Sequence, residues 1–102
     1  MMPDPAVGVF GISVAAEMVG TGVQNLRAYE RAGLLEPRRT AGGTRLYSPD
    51  DIERLRRIAA LLDAGLNLSG VAMVLDLELE NALLREEIAD HRRRTDETKD
   101  EP

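Results

Sequence analysis

NLRAYERAGLLEPRRTAGGTRLYS, residues 25–48, sets Arg27, Arg31, Arg38, Arg39 and Arg45 into one short segment of a 102-residue chain whose formal net charge is -5. Between Arg27 and Pro49 only Glu30 and Glu36 oppose those five arginines, so this stretch is basic inside an acidic protein and an anionic partner is not excluded here. Its punctuation predicts a helix followed by a hairpin. Gly33 followed by Leu34 reads as a glycine helix stop with its apolar follower. Gly42 and Gly43 separate two short arms and suit a turn that needs positive φ angles. Pro37 confines the first arm to an edge or irregular strand.

Working outward, residues 1–10, with two prolines, read as a flexible arm. ISVAAEMVG then offers Ser13 as a helix cap and Gly20 as a stop, which predicts a first helix of about eight residues. In the second helix Val23, Leu26 and Ala32 fall near helical spacing while Arg27, Glu30 and Arg31 face away. SPDDIERLRRIAALLDAG opens with Ser48 as cap, Pro49 at the first helical position and Asp50 and Asp51 at the positive end of the dipole. Its apolar face is Ile52, Leu55, Ile58, Ala59 and Leu62, and Gly65 ends it. Asn67 can cap a last helix, in which Val74, Leu77, Asn81, Leu84, Ile88 and His91 recur at heptad spacing. Leu75, Leu79, Ala82 and Leu83 make a second stripe, so that one stripe packs on the domain and the other needs a second chain. TDETKDEP, residues 95–102, is acidic and aperiodic and reads as a disordered tail.

Two short helices joined by a glycine turn and followed by an arginine-bearing hairpin follow the order of a winged helix-turn-helix. The fold expected is therefore mostly α: a winged helix-turn-helix DNA-binding domain over residues 11–70, then a dimerisation coiled-coil helix over 71–94. Gln24 and Asn25 stand in the first turn of the second helix, where an amide side chain can bond adenine in two places. Arg27, Tyr29 and Arg31 further along can hold phosphates, and Arg38, Arg39 and Arg45 on the hairpin can reach neighbouring phosphates or a narrowed minor groove. The plainer alternative is that the arginines are solvated charges and that Tyr29 and Tyr47 pack the hairpin on a helix. Clustering of arginines on two successive elements favours the nucleic-acid reading.

ISVAAEMVG followed by GVQNLRAYERAGLLEPRRTAGGTRLYSPDDIERL resembles the DNA-binding domain of MerR-family transcription regulators, and the ISVAAE opening and RRTAGGTRLYS wing are most similar to the heat-shock repressor (HspR) branch. The resemblance spans roughly residues 11–77. It implies that the first two helices and the wing grip DNA and that the long helix pairs antiparallel with its twin. Carried onto this chain, it points to Arg27 and Tyr29 in the recognition helix and to Arg39, Arg45 and Tyr47 in the wing. It also implies a repressor and control through a chaperone of the Hsp70 class.

Composition bounds the rest. A chain of 102 residues with 43% apolar and 30% charged residues holds one small domain, for which a partner subunit is the default. With no cysteine and a single histidine, neither a disulfide framework nor a thiolate metal site is available, and no cofactor or metal is implied. No run approaches the roughly 18 apolar residues of a membrane span, and the opening lacks a leader pattern, so the expected location is cytoplasmic, at the nucleoid. About ten residues follow the seam, too few to build a ligand pocket. The acid pairs Asp50–Asp51 and Glu86–Glu87 diverge on their helices and do not suit acid/base chemistry, so an enzyme is not expected. Two rivals share these features: a coiled-coil interaction adaptor, and a phage-type excision or architectural DNA-binding factor.

Overall fold

In the computed structural model, which describes residues 4–99, the chain forms helices α1 (Ile12–Val19) and α2 (Val23–Arg31), a hairpin of β1 (Arg38–Arg39) and β2 (Arg45–Leu46), then α3 (Pro49–Asp63) and α4 (Leu68–Lys99). This is the mostly helical winged helix-turn-helix order that the sequence predicts, with a small wing and a long last helix. One compact unit ends at Val71 and a second begins at Ala72.

The first unit is built by α1 packing on both α2 and α3. Ala15 and Ala16 are buried on α1, and their small side chains allow close approach of the neighbouring helices. Leu26 and Tyr29 supply α2's buried face, in place of the expected Leu26 with Val23 and Ala32, and Ala32 is exposed. On α3 the buried row is Ile52, Leu55, Ile58 and Leu61, at i, i+3, i+6 and i+9, while Ala59 and Leu62 are half-buried. Leu34 and Leu35, which follow α2, and Tyr47, which follows β2, are buried as well.

Local signals explain several boundaries. Gly33 takes φ 75°, its N–H donates to Glu30 O and the Leu34 N–H to Tyr29 O, both at 3.0 Å, so α2 ends in a Schellman motif that only a residue without Cβ adopts freely. Ser48 Oγ accepts from the Asp51 N–H at 3.0 Å while the Ser48 N–H donates to Asp51 Oδ2 at 2.9 Å, a complete capping box before Pro49. Asn67 Oδ1 accepts from the Gly70 N–H at 2.8 Å and starts α4.

Three expectations are corrected. The cap of α1 is Gly11, without a side-chain bond, and Ser13 lies exposed inside the helix. The cause is tertiary: the Phe10–Tyr47 bridge fixes the chain just upstream, with Tyr47 N–H to Phe10 O at 2.7 Å and Phe10 N–H to Tyr47 O at 2.9 Å. The same bridge overturns the loose arm over its described part. The Asp50 N–H donates to Pro5 O at 3.0 Å, and Gly8 lies so close to Leu46 that a Cβ there would meet the Leu46 carbonyl oxygen at 2.8 Å. The tail expected from residue 95 is helical as far as Lys99, since no glycine or proline interrupts it and Thr95 Oγ1 donates to His91 O at 2.9 Å. Residues 100–102 of that tail, and residues 1–3 of the arm, lie outside the described residues.

In the second unit, Leu77, Leu84 and Ile88 of the heptad seam are 60%, 54% and 51% exposed, Asn81 and His91 are also exposed and Val74 is half-buried. Leu79 and Leu83 of the second stripe, expected to be packed away, are exposed as well. Sequence periodicity identifies an apolar stripe but not which surface covers it.

Candidate nucleic-acid interface

The second helix presents one edge that carries an amide and two arginines. Gln24, Arg27, Ala28 and Arg31 stand at i, i+3, i+4 and i+7, and therefore share a face, opposite the buried Leu26 and Tyr29. Gln24 and Arg31 are exposed and Arg27 is half-buried, its Nε enclosed without a hydrogen-bond partner among the described residues. Asn25 is exposed too, but its Nδ2 donates to Thr21 Oγ1 at 2.7 Å, which ties the amide to the turn before the helix. Tyr29 belongs mainly to the core and borders a cleft lined also by Thr21, Asn25 and Asp63.

The wing is a tight antiparallel hairpin with Arg38 opposite Leu46 and Arg39 opposite Arg45. Its tip closes through Gly43 N–H to Thr40 O at 2.9 Å and Thr40 N–H to Thr44 O at 2.8 Å, with Thr44 N–H also donating to Thr40 Oγ1 at 3.2 Å. Of the two glycines only Gly43 has positive φ, 85°, so one residue rather than two supplies the left-handed geometry. A three-residue loop of this kind, a turn followed by a left-handed glycine, needs just one such residue.

Arg38 is exposed and its side chain forms no hydrogen bond or ion pair among the described residues, and the same holds for the side chain of Arg31. Arg39 and Arg45 differ. Arg39 Nη2 donates to Glu30 Oε1 at 2.7 Å and Arg39 Nη1 to Gly43 O at 3.1 Å, while Arg45 Nε donates to Glu30 Oε2. Burial pushes the Glu30 carboxyl upward, but the hydrogen bonds and charges of Arg45 and Arg39 outweigh it and hold the group below the usual carboxylate range. Sequence reading turned Glu30 to solvent; here its side chain is only 19% exposed and faces the hairpin. The available signal was a lone acid on the helix before a cross-strand pair of arginines.

Tyr47 corrects the expected contact set. Its ring is fully buried and its hydroxyl has no hydrogen-bond partner among the described residues, so it packs as a core residue. Burial, with the nearby Glu30 carboxylate, pushes its phenol above the ordinary range. Arg54, which sequence reading passed over, donates from Nε to the Leu34 carbonyl and so fixes the chain leaving α2 to α3.

Residues 10–78, which hold these helices, the hairpin and the basic edge, match the family of MerR HTH regulatory proteins. The chain belongs to the MerR family. MerR regulators are not enzymes, in accord with the sequence reading. Over 83 residues this MerR chain is 46% identical to a candidate heat shock protein, HspR, of Streptomyces coelicolor, a match covering 80% of the chain and 55% of that relative. The chain spans about half the length of the first curated relatives it matches. Among solved structures it is similar to the transcription regulator PbrR691 from Ralstonia metallidurans CH34, solved with lead(II), with TM-score 0.66 and 29% identity over 89% of this chain and 78% of that one. HiNmlR, a MerR regulator lacking the sensor domain and bound to promoter DNA, shares the fold with TM-score 0.60 and 21% identity over 88% and 84% of the two chains. No described helix is long and apolar enough to cross a membrane.

Proposed function

We propose that this chain is a homodimeric, sequence-specific DNA-binding transcription regulator that represses from an inverted-repeat operator. The observation that carries the reading is the joint exposure of Gln24 and Arg31 on one edge of α2 and of Arg38 on the wing beside it. Arg27, Arg31 and Arg38 neutralise phosphates, with Arg39 and Arg45 contributing the donors that Glu30 leaves uncommitted. Gln24 and Asn25 read base edges in the major groove; for Asn25 this requires exchanging the Thr21 bond for a base. The heptad seam Val74, Leu77, Asn81, Leu84, Ile88 and His91 pairs with a second copy and sets the spacing of two half-sites. A heat-shock context is supported by the likeness to the HspR of Streptomyces coelicolor, while repression and control by an Hsp70-class chaperone rest on the resemblance of the wing sequence to that branch. The promoter DNA held by HiNmlR supports the nature of the ligand.

Selection of duplexes from a random pool, followed by titration of the enriched sequence, tests this. The enriched sequence is expected to be an inverted repeat, with affinity falling at least tenfold or so between about 50 and 200 mM salt. Arg27→Ala should weaken all duplexes alike, whereas Gln24→Ala should relax discrimination at one base pair per half-site by roughly 1–3 kcal/mol. Enrichment of nothing, or a salt-independent interaction, overturns the proposal and leaves the interaction adaptor; enrichment without two-fold symmetry removes the homodimeric operator.

A further inference from the structure

Glu30 is the acid in the middle of the basic surface, and both of its carboxylate oxygens are taken. Oε1 accepts from Arg39 Nη2 and Oε2 from Arg45 Nε. Those two arginines are cross-strand partners, one on each strand of the wing, so a single carboxylate on α2 spans the whole hairpin. Arg39 also reaches Gly43 O at the tip. The hairpin needs such support, because its strands have two residues each and an isolated two-stranded ribbon is marginal in water.

Charge matters as much as geometry. Two guanidinium groups against one carboxylate leave the wing pair with a single net positive charge. Among the described residues, the Nη groups of Arg45 and the Nε of Arg39 remain uncommitted. Unopposed arginines on a loose hairpin bind any duplex, since phosphate attraction carries no sequence information. A wing held at one position on the recognition helix meets phosphates only where that helix is also in register.

We propose that Glu30 is a specificity-determining positioning residue: its carboxylate fixes the wing on the recognition helix and cancels part of the wing charge that would otherwise favour non-specific DNA. This rests on the DNA-binding reading above. Glu30→Gln keeps the shape and removes the charge. In the DNA-free protein, heteronuclear NOE values of the amides of residues 38–46 are expected to fall, while the fold, followed by thermal melting and by the amides of α3, persists. Against DNA, the variant is expected to bind random duplex several-fold more tightly and the selected repeat no more tightly than before, so that discrimination drops roughly tenfold. Glu30→Asp restores the charge without the reach to span both arginines, and should return random-duplex affinity to the original value while the wing stays loose. Wing amides as ordered in Glu30→Gln as in the original overturn the clamp. An equal change for both duplexes overturns the specificity role. Should the original protein enrich no duplex at all, the DNA-binding reading fails by itself, and the NOE measurement, which needs no DNA, still decides whether Glu30 holds the wing.

Discussion

Tyr47 sits between Leu46, against which Gly8 is pressed, and Ser48, the cap of α3, with its ring enclosed and its hydroxyl unbonded among the described residues. A buried donor that has left water without gaining a partner costs roughly 1–3 kcal/mol. Tyr47→Phe removes that group and keeps the ring, so it is expected to stabilise the protein by about 1 kcal/mol, read as a higher melting temperature, with DNA affinity unchanged. A several-fold loss of affinity would show that the hydroxyl reaches the ligand after all. The sequence supports both readings of this tyrosine, because a strand of two residues offers no alternation from which to tell inside from outside. Glu30 escaped sequence reading for a related reason. Helical spacing places it beside Arg31 on the outer side of α2, and only the return of the chain as a wing half-covers that position.

At the level of the element, the wing tip shows how two adjacent glycines do different work. Gly43 occupies the left-handed region at φ 85°, and a Cβ added there would meet nothing within 4 Å, so the penalty of Gly43→Ala is purely conformational, about 1–2 kcal/mol. Gly42 has no positive φ, and a Cβ there would meet only Thr40 Oγ1 at 3.9 Å, so Gly42→Ala should be close to neutral. Chemical denaturation of the two variants side by side checks the contrast; equal losses would mean that both positions need glycine. Sequence reading located this turn but assigned the unusual backbone to the pair. The pattern of success follows the range of the interactions. The cap at Ser48, the stop at Gly33 and the start at Asn67 are each decided within a few residues and were legible. The start of α1 is set by a bridge to residue 47, and no local signal could place it. Of the site, the basic edge of α2 was legible from helical spacing, the burial of Tyr47 stood as one of two readings, and the turn of Glu30 toward the hairpin was not legible.

For the whole molecule, the open question is what covers α4. Leu77, Leu84 and Ile88 stand out to solvent together with Leu79 and Leu83, more apolar surface than scattered exposure accounts for. Under the homodimer proposed above, Leu84→Asp sets a charge in the middle of the seam and is expected to yield monomers by sedimentation and to abolish binding to the selected repeat, although every arginine remains. Monomers that bind the full repeat with undiminished affinity would show the pairing to be irrelevant to DNA. Phe10 pairs with Tyr47 and Pro5 accepts from Asp50, so these contacts enclose α1, α2 and the hairpin within one large ring of backbone. Such a ring closes late, because its ends lie far apart along the chain and loop entropy opposes their meeting until the intervening parts have ordered. On the ribosome, which extends the chain from its N-terminus, the segment upstream of α1 must therefore wait, unpaired, for residues 47–50 to emerge before it finds its place.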